Sequence, residues 1–173
     1  MIAALYVRAR SIYHQLPGVD PWCAARDARL YPGPWPVIAH PPCRGWGKYA
    51  YRAKCRPGET DLAFHALEMV RLYGGVLEHP QGSQFWRAGG LPRPGAPPDA
   101  FGGWSLLVNQ VDWGHRALKP TLLYICGTHF VPPSRPARSP SSTVENMWRG
   151  EREATPKDFA IWLCQIAQSV ARA

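Results

Sequence analysis

Short apolar runs broken by proline and glycine dominate the chain, and only two stretches carry a helical period. Ile2 to Val7 reads as a first strand, and Gly18 to Trp22 as a second short strand with its exit. Tyr31 to Pro36 is a proline-rich approach to a third strand, Val37-Ile38-Ala39, which ends in His40-Pro41-Pro42-Cys43. Beyond it, Thr60 reads as a helix cap with Asp61 in the first turn. Leu62, Ala63, Ala66, Leu67, Val70 and Tyr73 then fall on one helical face, and Gly74-Gly75 stops the helix. Val76 to Pro80 is the next strand. Residues 81 to 104 are rich in Gly, Pro and Trp and read as a surface excursion or small lid. Leu106 to Val111 and Thr121 to Cys126 read as two more strands. A Pro/Ser/Arg-rich segment over 130–150 is expected to be mobile. Thr155-Pro156 opens a last helix from Lys157 to Val170, with Phe159, Ile161, Trp162, Leu163, Ile166 and Val170 facing a core and Cys164 packed.

Strand, crossover helix, strand is a βαβ unit, whose two strands run parallel. The fold expected is therefore α/β: one trimmed Rossmann-like domain over residues 1–173, with a mainly parallel sheet and an antiparallel hairpin near its C-terminus. This topology has a chemical consequence. Cys43 and Glu78 follow neighbouring strands and come out at the same sheet edge, where open α/β sheets place their ligands. Two prolines stiffen the turn before Cys43, so the thiol is presented rather than packed.

Composition adds a partner to this outline. With 20 Lys and Arg against 12 Asp and Glu, the net charge of +8 favours a polyanion, and DNA is the expectation. Eight Trp suggest stacking surfaces, although core packing can absorb several. The five cysteines are odd in number and show no disulfide spacing, and no leader-like segment precedes them, so a reducing cytosol is expected. No run approaches transmembrane length.

Candidate binding residues follow the strand ends. Arg8-Ala9-Arg10-Ser11 stands where a nucleotide-binding unit would have a glycine-rich loop; Arg8, Arg10 and Ser11 suit a phosphate or carboxylate, or else form an exposed basic turn. Asp20 and Asp27 are candidates for contacting a cofactor at the sheet edge, or caps of local turns. Residues 44 to 58 interleave Arg44, Lys48, Arg52, Lys54 and Arg56 with Trp46, Tyr49 and Tyr51, a mixture that suits phosphates and splayed bases. A thiolate beside a carboxylate under such a loop suggests attack on carbon 6 of a pyrimidine. Arg44 or His40 would help to produce the thiolate. Two further readings are a DNA-binding module with zinc on His40, Cys43, Cys126 and His129, and a degenerate fold that only binds DNA.

Pro41-Pro42-Cys43 resembles the catalytic Pro-Pro-Cys motif of DNA cytosine-5 methyltransferases, and Leu77-Glu78-His79-Pro80 is similar to their Glu-Asn-Val/Pro motif, with His79 in place of Asn. The stretch from Trp113-Gly114 through Lys119-Pro120-Thr121 to Gly127 resembles a block of small phage and prophage proteins of the cytosine methyltransferase-like type. Arg152-Glu153-Ala154-Thr155-Pro156 resembles the Arg-x-Leu-Thr-Pro stretch late in that fold. The resemblance covers roughly residues 37 to 127. It implies that Cys43 is the covalent nucleophile and Glu78 the contact to nitrogen 3 of a flipped base. His79, His115, Arg116 and Lys119 would then lie near the phosphate or the base. S-adenosylmethionine is the family's donor, but its glycine-rich loop is absent here, and the chain has no room for a separate target-recognition domain. The resemblance extends to phage thymidine hypermodification. There an activated 5-hydroxymethyluracil in DNA loses its leaving group and accepts an amino acid or another amine. That branch is the favoured expectation, with S-adenosylmethionine-dependent cytosine methylation as its alternative. Either implies the cytoplasm of a bacterium carrying phage or prophage.

Overall fold

A computed structural model describes residues 1–47, 50–133 and 136–171. Its centre is a six-stranded mixed sheet: β1 (Ile2–Leu5), β2 (Val19–Trp22), β3 (Val37–Ala39), β4 (Gly75–Pro80), β5 (Trp104–Asn109) and β6 (Pro120–Cys126). The spatial order is β2-β1-β3-β4-β6-β5. β2, β1, β3 and β4 are joined by parallel pairings, while β6 runs antiparallel to both of its neighbours, β4 and β5. The α/β class, the parallel βαβ unit and the reversed strand near the end of the sheet all agree with the sequence reading.

The strands are apolar throughout because both faces of the sheet are covered. Alternate residues serve alternate faces. Ala3, Leu5, Val37, Ala39, Leu77 and Tyr124 meet helix α1 (Asp61–Tyr73) through Ala63, Ala66, Leu67 and Val70. Ile2, Ala4, Ile38, Val76, Leu123 and Ile125 meet helix α4 (Lys157–Gln168) through Phe159, Leu163 and Ile166. Two short helices complete the set, α2 (Phe85–Ala88) and α3 (Arg149–Glu153). Trp22, Trp86, Trp113 and Trp162 are buried and only Trp148 of the eight is largely exposed, so the core and not a stacking surface absorbs most of them.

Several boundaries differ from the reading. β1 stops at Leu5 because Tyr6 takes a positive φ of 61°. The expected strand Leu106–Val111 is displaced to Trp104–Asn109, and Gln110–Trp113 form a 3-10 turn. Thr60 is already helical and gives no side-chain cap, and Ile161 faces solvent. The 81–104 stretch is not a lid. Phe85, Trp86 and Leu91 are buried against α1, and the Trp86 indole donates to Ser105. Asp99 holds the rest by accepting from Arg71, the Tyr124 hydroxyl and the amides of Phe101 and Gly103. The 130–150 stretch is anchored among its described residues. The Trp162 indole donates to the Pro132 carbonyl, the Arg138 amide donates to Asp112, Ser142 bridges Ala117, and Met147 is buried.

The crossover from α1 into β4 is the tightest point. Gly75 has φ of +123°, and a Cβ there would stand 1.9 Å from the Val37 carbonyl oxygen. Only glycine allows β4 to lie at this register beside β3. Gly75→Ala is expected to destabilise the protein by roughly 3 kcal/mol or more, through strain and lost pairing. Urea denaturation followed by circular dichroism checks this; a change within about 0.5 kcal/mol would show that the β3–β4 contact tolerates a side chain.

Candidate active site

The carboxyl ends of β1, β3 and β4 open on the same edge of the sheet. The connection leaving β1 runs to β2 on one side and the connection leaving β3 runs to β4 on the other, and the gap between β1 and β3 is the place where such sheets form a crevice. The register that pairs Ala39 with Leu77 sets the next residues, His40 and Glu78, side by side on the α4 face. Their side chains meet with His40 Nδ1 3.1 Å from Glu78 Oε2.

Glu78 lies at the centre of a polar chain. The far nitrogen of His40 is 2.8 Å from the hydroxyl of buried Tyr13. On its other oxygen, Glu78 accepts from Gln110 Nε2 at 3.0 Å. Gln110 also donates to Thr121 Oγ1, which itself donates to the Lys119 carbonyl. Burial alone would raise the Glu78 pKa. The His40 hydrogen bond and the Lys119 charge outweigh it and hold the carboxyl at about 2, so the group is ionised at neutral pH. Its side chain and that of His40 each keep 13% of their surface exposed, a narrow opening onto the crevice.

Cys43 stands at the rim as an exposed residue after the two prolines. Its thiol pKa is raised, first by desolvation and then by the Glu78 carboxylate, with Lys119 opposing. The expectation that His40 or Arg44 would produce the thiolate is therefore corrected. His40 is committed to Glu78 and Tyr13, while Arg44 pairs with Glu59 at 3.5 Å and donates to the Lys54 carbonyl. Lys119 is the cation that acts on both Cys43 and Glu78.

Other predicted residues divide into three groups. Arg8, Arg10 and Arg116 are exposed near the edge. Arg8 pairs with Glu153 at 3.7 Å, and Arg116 with Glu151 at 2.7 Å, so α3 brings two carboxylates against this basic rim. Ser11 Oγ is buried without a partner at the start of a 3-10 turn. Asp20 and Asp27 sit on the β2 side and are each engaged by an arginine, Arg26 and Arg29. Asp20 also accepts from the Trp22 indole, and Asp27 accepts from the Arg29 amide.

Three residues are corrected from surface contacts to structural ones. His79 is fully buried on the α1 face, 2.6 Å from Ser83 Oγ and packed on Phe85. Burial lowers its pKa to about 4, despite the Glu78 charge and the Pro42 backbone, which favour protonation. It supports the Pro42–Cys43 turn from beneath and cannot meet DNA. His115 is buried with Nδ1 against the Ala117 backbone, and so shapes the Arg116–Lys119 loop from inside. Trp46 packs edge-on against Phe64 and Phe85 and pins the basic loop to α1 rather than offering its ring to a base. In that loop Tyr51 is exposed with Arg52 over its ring, and Lys48 lies outside the described residues.

The zinc arrangement is also corrected. Cys126 pairs in register with Gly75 at the start of β4, the far end from His40 and Cys43. Among the described residues no group of three or more His, Cys, Asp and Glu could hold a metal ion. Tyr13, Gln110 and Thr121 escaped the sequence reading. Gln110 was read as an interior position of the strand Leu106–Val111, and Tyr13 carried no signal.

No family model matches the chain, and no curated protein matches it. The assignment of chemistry thus rests on the site itself.

The geometry makes a prediction about the thiol. Alkylation of Cys43 by iodoacetamide, followed by peptide mass spectrometry, is expected to rise with pH through a midpoint above that of a small-molecule thiol. Glu78→Gln removes a negative charge and is expected to lower this midpoint. A midpoint unchanged by that substitution would place Cys43 outside the field of Glu78.

Proposed function

We propose that this chain is an enzyme that modifies carbon 5 of a pyrimidine in DNA through a covalent Cys43 adduct. The observation that carries this reading is the convergence of Cys43, Glu78 and Lys119 at one strand edge, with each charge felt by the thiol. The resemblance of Pro41-Pro42-Cys43 and of the Glu78 segment to cytosine-5 methyltransferases supports it. So does a mainly parallel α/β sheet with one reversed strand, β6, next to its edge.

In this mechanism the base is turned out of the helix into the crevice. Cys43 Sγ bonds to carbon 6, and the carbon 5–carbon 6 π electrons move towards the exocyclic oxygen at carbon 4. Lys119 stabilises the charge that develops. Glu78 holds nitrogen 3. The exposed Arg10, Tyr51 and Arg52, and the arginines paired with α3, serve the phosphate backbone and neighbouring bases.

The donor favoured here is an amine, with activated 5-hydroxymethyluracil as the acceptor. The leaving group departs with the electron pair of its carbon–oxygen bond, the amine adds to the exocyclic carbon and gives up a proton to solvent, and the thiolate is released as the carbon 5–carbon 6 double bond re-forms. Arg8, Arg10 and Ser11 stand in place of a glycine-rich cofactor loop and are suited to an anionic group. Methyl transfer from S-adenosylmethionine is the second reading, favoured by the sheet order with its reversed strand β6.

Two measurements separate the readings. DNA carrying phosphorylated 5-hydroxymethyluracil, incubated with free amino acids, is expected to yield a heavier nucleoside by mass spectrometry, and Cys43→Ser to abolish it. Calorimetric titration with S-adenosylmethionine, with and without duplex DNA, is expected to give no saturable binding. Saturable binding and a methylated nucleoside would establish the second reading instead.

A further inference from the structure

We infer that Trp148 is a stacking platform for an unpaired nucleobase, so that the rim of the crevice holds a DNA strand opened beside the target. This inference rests on the DNA reading above and uses none of the residues assigned to the reacting base.

Most of the other tryptophans are accounted for by the fold. Trp22, Trp46, Trp86, Trp104 and Trp162 each donate the indole N–H to a protein oxygen. Trp148 keeps 73% of its surface exposed. A single exposed indole means little by itself. What sets this one apart is that it is held in place. Met147 before it is buried, and the Trp148 carbonyl accepts from the amides of Glu151 and Arg152, both at 3.1 Å. Trp148 is extended, with φ of −66° and ψ of 155°, and the chain then turns into α3. The six-membered ring comes to lie directly over Gly150. A Cβ on Gly150 would stand 1.8 Å from Cζ3 and 2.0 Å from Cη2 of that ring. Gly150 is buried, although Arg149 and Arg152 on the same short helix are exposed. The glycine is thus a seat for the indole, and a ring fixed beforehand gives up little rotamer freedom when it takes a partner.

The surroundings specify that partner. Arg8, in the connection that leaves β1, donates to the Gly150 carbonyl at 3.4 Å, so ring, seat and cation are contiguous. Arg116 pairs with Glu151 and Arg149 with Glu153, each at 2.7 Å. With the exposed Arg152, four arginines stand against two glutamates around the ring. An acidic peptide would satisfy the cations alone. A nucleic acid strand satisfies both parts, with phosphates for the arginines and a flat base for the indole. In a closed duplex the bases stack on one another and offer no face to Trp148. A base turned out of the helix leaves its neighbours unstacked on one side, and Trp148 stands on the rim that Arg8 and Arg116 define.

The test is binding of fluorescein-labelled strands to the full chain, followed by anisotropy at low salt. Two strands of equal length are compared, one of thymidines and one with an abasic site at every position, together with a closed duplex. The thymidine strand is expected to bind about tenfold or more tightly than the abasic strand. Trp148→Ala is expected to remove most of this ratio and to leave the abasic strand and the duplex unchanged. Trp148→Phe, which retains a ring, is expected to keep part of the ratio. Gly150→Ala retains the indole but unseats it, and is expected to lower the ratio as well. A ratio unchanged in Trp148→Ala would overturn the inference and leave the DNA reading standing. So would an equal loss on all three probes, which marks a structural role. No binding of any probe by the unsubstituted chain would defeat the DNA reading and the inference with it.

Discussion

One buried carboxylate organises this edge of the molecule. Glu78 is removed from water at the end of β4, a position that would favour its neutral form. The His40 hydrogen bond and the Lys119 charge reverse that preference, while Gln110 donates to the other carboxylate oxygen. The polar residues nearest to it are arranged around this requirement. The β3–β4 register brings His40 alongside, and the 3-10 turn after β1 supplies Tyr13. The turn after β5 supplies Gln110, and the start of β6 supplies Thr121. A carboxylate held by four segments also ties those segments together, so the site is part of the fold's own polar framework.

Placement of Cys43 has a different origin. The prolines and the buried His79 beneath them fix the turn, and desolvation followed by the Glu78 charge keeps the thiol protonated more than usual. A raised thiol pKa makes a weaker leaving group and a stronger nucleophile once ionised. Lys119 is the counterweight, and a bound ring with developing negative charge would draw on the same cation. The rim follows a similar logic: Arg8 and Arg116 are held by carboxylates of α3, which an incoming phosphate backbone would have to displace.

Much of this was legible in the sequence because it depends on local pattern. Apolar runs, a helical stripe and Gly74-Gly75 specify the βαβ unit, and the unit places Cys43 and Glu78 on one edge without further information. What escaped depends on which face a side chain takes. His79 follows Glu78 by one position, and the pleat sends it to the opposite, buried side. Trp46 was grouped with a basic loop by its neighbours in the chain, but its ring is claimed by Phe64 and Phe85. Tyr13 reaches His40 from 27 positions away and Gln110 reaches Glu78 from 32, separations that no spacing rule covers.

The most direct measurement of this account is the titration of the Glu78 carboxyl carbon by NMR in the full-length chain. The His40 hydrogen bond and the Lys119 charge predict that the carboxyl stays ionised through the usual range and takes its proton only at about pH 2. A midpoint at or above the ordinary 4.5 would contradict it, because burial would then prevail over the donors and Glu78 would not be a fixed acceptor at the centre of the site.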